Sequence, residues 1–544
     1  IYYRPFGQPR DWHGAGNVQL HVADGSLVVS KRVDGSKLTL FVGGRGSERY
    51  GSCLSRLETP RLAQSYLPIL ETGYTDAEGA RYRQESFAVR ISQTRALVSF
   101  IRLSVYPTGT RGGVARIRLT PSVRLHRVGH QLRQRGRARL LFGKHVHVDG
   151  SSVVATVRRP TVLYAAWLSS ASRTRPLHLD RAHYERARAR VIHYWTKRLA
   201  RGAELVVPEQ RVYDAERNLL IQNLLLSWRY SLGNAYGHFS WELPDVAEVM
   251  GAYGYGGVER AILAASLRAL TVFPNRSAGE RMVASTDYFR RFGDTNYVTR
   301  VTPRFRKEVE KFGRQLQAST VGLLPRERYG ADISGPIYGL HAQVLVLQGL
   351  RGIADVWART GRPQLAAEAT QAADRLEAGL RSAVAAAEVP LGDGSLFVPI
   401  VLVDGTEHPY DSLTNSKRGS YWNLVMPFVL GSGFLRPGSA DAAGVLRYVL
   451  NHGSRFLGLV RFSPHTGVTN PGYQTAGSDD VYGTNVVRFL ADNDQPDQLV
   501  LSLYGKLGAG MTENTFVSGE GSTIAPVAGQ YYRFMHRPPN SANN

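Results

Sequence analysis

Two acidic segments far apart in the chain carry the residue types that proton transfer needs. Glu242 stands in the run His238-Phe239-Ser240-Trp241-Glu242-Leu243-Pro244-Asp245, and Glu520 in Ser518-Gly519-Glu520-Gly521-Ser522. An aromatic wall strips water from a carboxyl and keeps it protonated, ready to donate. Small neighbours let a ligand come close to a carboxylate. Pro244 predicts a helix starting at Leu243 or Pro244, which puts Asp245 and Glu248 in its first turn. Capping of that turn is the plainer account of both. Glu242 precedes the start and lies in the loop. Glu513, in Thr512-Glu513-Asn514-Thr515, competes with Glu520. The bland reading is a surface turn for Glu513 and a buried structural acid for Glu520.

Other loops add candidates. Asp411 follows Tyr410, with Arg418, Tyr421 and Trp422 close behind. Asp287 and Asp294 lie in a stretch, 285–297, that reads first as turn chemistry and second as substrate contact. Asp479-Asp480 precedes a helix that either residue could cap. Tyr236, His238, Trp241, Tyr288, Tyr338, His341 and Trp422 offer flat faces or polar tips to a ligand. Core packing is the simpler account of any one of them.

Several chemistries find no support. There is no HExxH pair of histidines, no phosphate-binding loop and no GxSxG elbow. Gly254–Gly257 follows a helix, which removes a dinucleotide fingerprint. His145 and His147 share a strand face without a third ligand. A single cysteine, Cys53, excludes an internal disulfide and any cysteine-built metal centre. The reading therefore calls for no cofactor and no metal. Asn275-Arg276-Ser277 fits a glycosylation acceptor as a bare triplet.

The elements that must position these residues change along the 544-residue chain. Residues 1–180 alternate apolar and polar, with Asp24-Gly25 and Asp34-Gly35 as hairpin signals. Strands are expected at 18–22, 27–29, 38–42, 82–91, 97–105, 115–119, 145–148 and 153–157, as an antiparallel β-sandwich. Residues 181–207 read as a charged linker helix with Tyr184, Ala187, Val191, Ile192, Trp195 and Leu199 on one stripe. From 208 to 544 helices dominate. Val212 to Trp228, Val344 to Trp357, Leu365 to Val384, 442–450 and 481–490 carry helical patterns, separated by polar aromatic loops at 233–245, 408–422 and 470–483. A toroid of paired helices would gather such loops at one end.

This order resembles a group of glycoside hydrolases and phosphorylases. They combine an N-terminal β-sandwich, a linker helix and an (α/α)6 barrel, as in glucoamylase-, trehalase- and α-L-rhamnosidase-like enzymes. The anchors are 206–220 after Trp195, 238–255, 420–433 and 511–526. The resemblance implies an inverting glycoside hydrolase acting on an oligo- or polysaccharide, with Glu242 as acid and Glu520 as base. Cleavage of that kind needs an acid at the leaving oxygen and a carboxylate that activates water. Asp245, Asp411 and Glu513 are the competing catalytic carboxyls. Tyr236, His238, Trp241, Asp287, Tyr288, Tyr338, His341, Arg418, Trp422 and Asp480 would contact the sugar. The alternatives are a phosphorylase of related architecture and a non-catalytic carbohydrate-binding or structural surface protein. Barrels of this group close with a helix after a Pro-Pro-Asn-like segment. Only four residues follow Pro538-Pro539-Asn540, so the expectation is either that the closing helix is absent from this chain or that the gene continues beyond Asn544.

The balance of charge bears on partners. There are 67 basic against 44 acidic residues, +23 in all, and only eight of the 67 are lysine. The densest basic run, Arg124 to Arg139, reads as a solvated hairpin or loop without an aromatic residue for a base to stack on. A carbohydrate partner, including an anionic glycan, therefore fits better than nucleic acid. No apolar run is long enough to span a membrane. The chain opens at Ile1 without methionine. A secreted or cell-surface protein that has lost its targeting segment is expected, with a cytoplasmic one as the alternative. Nothing in the sequence sets an oligomeric state.

Overall fold

The computed structural model describes residues 2–3, 18–22, 24–31, 37–90, 97–108, 113–120, 124–173, 179–226, 243–269, 271–330, 333–403, 405, 407–410, 412–463, 477–527 and 530–536. The chain divides into two units. One holds 1–227 with 513–517 and 544; the other holds 228–512 with 518–543.

The first unit is an antiparallel β-sandwich. One eight-stranded sheet runs through Val18–Val22, Leu27–Lys31, Lys37–Val42, Gly113–Thr120 and Ser152–Val157; the second runs through Leu70–Thr75, Arg81–Arg90, Leu97–Tyr106, Arg137–Phe142 and Thr161–Ser172. Alternation puts Leu38, Leu40 and Val42 of the first sheet and Leu103, Val105 and Trp167 of the second into one core. His21 crosses between the sheets, with its ring nitrogens 2.9 Å from Ser86 Oγ and 2.8 Å from Ser99 Oγ. Burial pushes its pKa down to about 3, so the ring is neutral.

The basic run folds as strands His126–Val128, Gln131–Gln134 and Arg137–Phe142, so the hairpin expectation holds. Arg139 is the exception to its solvation. It is buried, its guanidinium donates to the Ser169 carbonyl, and it lies over the Trp167 ring. His145 sits in a turn at φ 66°, and the strand there begins at His147. The two histidines therefore do not share a strand face.

Helix α1, Arg181–Leu199, starts at Asp180, whose carboxylate accepts the His183 amide proton. Its buried stripe is Tyr184, Ala187, Val191, Trp195 and Leu199. Tyr184 packs edge-on against Phe87, on the outer face of the second sheet. Helix α2, Gln210–Leu226, completes the unit, where Gln222 donates to the Phe516 carbonyl.

The second unit is a toroid of alternating helices. In chain order they are α3 Leu243–Ala252, α4 Gly256–Ser266, α5 Pro274–Phe292, α6 Thr295–Gln317, α7 Leu340–Arg359, α8 Pro363–Ala385, α9 Lys417–Leu430, α10 Ala440–Asn451, α11 Gly483–Asp492 and α12 Pro496–Gly505. The even-numbered ones behave as outer helices. In α6, for example, Val301, Phe305, Val309, Phe312 and Leu316 form one buried stripe and the other faces are charged. Helices α5, α7 and α9 are buried almost all round, as inner helices must be.

The main chains of α5 and α7 touch. A Cβ on Gly279 would come within 2.7 Å of the Leu345 carbonyl oxygen, and one on Gly349 within 2.7 Å of the Gly279 oxygen. Glycine is required on both sides of that seam. The segment 285–297, read from sequence mainly as a turn, is in fact the end of α5, the left-handed Gly293 and the start of α6. In 408–422 the loop ends earlier than expected, because α9 begins at Lys417. Among the described residues, no helix is long and apolar enough to cross a membrane.

Candidate active site inside the helical ring

Helices α3, α5, α7, α9 and α11 wall a cavity of about 40 Å³. That is room for a water molecule, whose share of the liquid is ~30 Å³, and not for a sugar ring. Its polar lining is Asp245 and Glu248 from α3, Glu280 and Asp287 from α5, Gln348 from α7, and Asn485 and Arg488 from α11. Leu345 and Phe428 supply apolar wall. Helical spacing explains the convergence. Asp245 and Glu248 are three residues apart, and Glu280 and Asp287 seven, so each pair lies on one helix face.

Three of these carboxyls hold their protons more tightly than free ones. Asp245 is raised well above the ordinary range, first by burial, then by the neighbouring Glu280 and Glu248 carboxylates. Arg276 and Arg488 oppose the shift without cancelling it. Its Oδ2 is sealed from solvent and has no hydrogen-bond partner. Burial raises Glu280 as well, against the Arg276 guanidinium at 2.8 Å. Arg276 is itself buried and lies over the Phe428 ring. Asp287 is raised by burial and by Glu248. Glu248 is the hub of the ion pairs: Arg488 reaches it at 2.7 Å and Arg291 at 3.3 Å. A carboxyl that holds its proton tightly beside an arginine-held one is equipment for moving a proton. Among the described residues, no group of three or more His, Cys, Asp or Glu side chains is placed to hold a metal ion.

Two further candidate carboxylates flank a short ladder at the entry to α11. Ser478 pairs with Ser522 and Asp479 with Gly521 in antiparallel register. The ladder ends there, and Asp480 and Glu520 are the residues next to its last pair. Asp480 accepts the Val460 amide proton at 3.0 Å. Lys506 lies near by; burial lowers its pKa, and Asp480 and Asp479 pull the other way. Glu520 is half-buried.

The remaining candidates scatter. Glu513 is exposed in a turn of the segment 513–517, which belongs to the first unit. Trp422 is fully buried between Phe397 and Tyr448 and donates its indole proton to the Val398 carbonyl. That makes it a core residue and corrects its expected place at a ligand. Tyr288 is likewise buried, with its hydroxyl donating to Asp294. His341 is buried beside Tyr329 and kept neutral by burial and by Arg276. Neither faces a surface that a sugar can reach.

Tyr338 is half-buried under Arg326. Arg418 is exposed and lies over the Tyr329 ring. That ring leads to a residue the sequence did not single out. Glu407 is buried, accepts the Ile400 and Val401 amides, and takes hydrogen bonds from the Tyr329 and Tyr410 hydroxyls. Glu280 and Arg488 were missed as well, and only i, i+7 spacing from Asp287 could have suggested Glu280. Tyr236, His238, Trp241, Glu242 and Asp411 lie outside the described residues. So does the segment after His536, where the closing helix was in question.

No protein-family model matches the chain, and no curated protein does. Solved structures do. A bacterial glucoamylase complexed with acarbose superposes with a TM-score of 0.62 at 10% identity, over 100% of this chain and 93% of the glucoamylase. The fold is that of the bacterial glucoamylase, a β-sandwich followed by an (α/α)6-type toroid. A GH78 family rhamnosidase of Bacillus sp. GL1 gives 0.40 at 10% identity, over 82% of this chain and 44% of that one. A rhamnosidase from Klebsiella oxytoca gives 0.41 at 10% identity, over 83% and 85%.

Proposed function

We propose that the protein is a glycoside hydrolase that cleaves an oligo- or polysaccharide with inversion at the anomeric carbon. The observation that carries this reading is Asp245. It is a carboxyl at the start of an inner helix, whose proton burial holds more tightly than a free carboxyl's, inside a ring whose fold is shared with a glucoamylase solved with acarbose. Glu242 protonates the leaving oxygen, or Asp245 does once the ring opens beyond its cavity of about 40 Å³, and Glu520 activates the water. The domain limits that go with this reading are 1–180, 181–207 and 208–544, and the location is extracellular.

The experiment is hydrolysis of a glycan panel by the wild-type chain and by Glu242→Gln, Asp245→Asn and Glu520→Gln, with the product anomer followed by NMR. Activity in wild type and its loss in Glu520→Gln and in one of the two early variants supports the reading. Full activity in all three variants removes the assignment. Product that appears only with added phosphate, as glycosyl phosphate, replaces hydrolysis by phosphorolysis.

A further inference from the structure

The sandwich carries a second cavity, a groove of about 270 Å³ on the outer face of its second sheet. Strand register builds it. Glu71, Glu85 and Arg102 stand side by side on three neighbouring strands, and the next row is Gly73, Arg83 and Ser104. Ser104 at one end of the second row leaves the hollow open, and at the other end the Glu58 carboxylate lies against Gly73, where glycine alone leaves it room. Tyr106 stands in the row beyond, beside Arg81, and is 38% exposed. The wall at Glu85 is built from behind. That carboxylate is buried, takes the Tyr184 hydroxyl at 2.8 Å and the Arg188 Nε at 3.1 Å, and faces Arg102 at 3.5 Å. On the other side Arg61 pairs with Glu71 at 2.9 Å.

We infer that this groove binds one unit of a neutral carbohydrate. Three guanidiniums (Arg61, Arg83, Arg102) line it together with three carboxylates (Glu58, Glu71, Glu85), so its formal charge is zero. An anion meets three carboxylates there and a cation three guanidiniums, and burying either against like charge costs free energy. A vicinal diol suits both. Each hydroxyl donates to a carboxylate and accepts from a guanidinium, and such charge-assisted bonds are the strong ones. The Tyr106 ring gives the C–H face of a pyranose an apolar contact. The volume lies just below the ~300–1,000 Å³ of pockets for drug-sized ligands. It matches a single ring.

The choice of a glycan probe is consistent with the hydrolase reading, but the two stand or fall separately. The test is native electrophoresis of the full chain toward the cathode, through gels containing soluble starch, dextran, xylan or polygalacturonate. Retardation is expected in at least one neutral gel. Arg83→Ala and Tyr106→Ala, both at exposed positions, should each weaken it about tenfold, the loss of one charge-assisted hydrogen bond or ring contact. Hydrolysis of a short soluble oligosaccharide should stay unchanged in both. Retardation that persists in both variants, that occurs only with polygalacturonate, or that is absent in every gel overturns the groove. A chain that is retarded through the groove and hydrolyses nothing keeps the groove and loses the hydrolase reading.

Discussion

Glu248 on α3 and Arg488 on α11 meet at 2.7 Å, which joins the first and the last inner helix described in the second unit. The two side chains are 27% and 38% exposed, so water reaches the pair and moderates its strength. A double-mutant cycle with Glu248→Gln and Arg488→Gln should give a coupling of about 1 kcal/mol in thermal or urea unfolding. High salt should shrink it. Additive single effects would mean that the contact contributes nothing to holding the ring.

Burial pushes the Glu259 carboxyl on α4 up to about 7 from an ordinary 4.5, despite Arg291 at 3.0 Å. The folded chain therefore keeps a proton that the unfolded chain releases between those values. Unfolding free energy should fall as pH rises from 4.5 to about 7. Glu259→Gln should flatten the slope in that window. Wild-type and variant Tm profiles that run parallel from pH 4 to 8 would remove Glu259 as its source.

If Asp245 is a working acid, Asp245→Asn should lower kcat by ~10²–10⁴ with KM little changed, because proton donation is felt in the transition state. The basic limb of the kcat profile should also change, since Asp245 holds its proton well above the usual carboxyl range. An amide variant that merely unfolds shows itself in circular dichroism. One that folds and keeps the full pH profile takes Asp245 out of the chemistry.

The Gly279–Gly349 seam leaves no room for a methyl group. Gly279→Ala should cost ~1–3 kcal/mol through overpacking, against a backbone that has nowhere to move. Gly313→Ala on α6 is the control, because a Cβ there meets nothing within 4 Å. It should be neutral or stabilising. Equal effects at the two sites would contradict the close approach of α5 and α7.

The triplet at Asn275 should stay unmodified in a glycosylating host. Asn275 is 4% exposed in the first turn of α5, and its backbone N–H donates to the Glu327 carboxylate. Peptide mass spectrometry of secreted protein reads this directly, and a glycan on Asn275 would mean that this turn is open when the chain is modified.

How far the molecule could be read from sequence followed from solvent. Helix α1 was plain because only one stripe of it is buried, so Tyr184, Ala187, Val191, Trp195 and Leu199 recur at helical spacing. Helix α5 was not, because it has no wet face. Asn275, Arg276, Glu280, Arg281 and Ser285 are as buried as Met282, and polar residues at every angle erase the period. The candidate site divides in the same way. Asp245 and Asp287 drew notice through aromatic or turn-rich neighbours. Glu280, in the middle of a helix without such neighbours, did not.

The cavity in the ring has walls of two kinds. Between α5 and α7 its width is set by backbone atoms in contact, which no rotamer change can alter. Between α3 and α11 it is set by charge, which ions compete for. One side is therefore fixed and the other can be loosened by salt. Any opening wide enough for a sugar to reach Asp245 should begin between α3 and α11, and its rate should follow ionic strength.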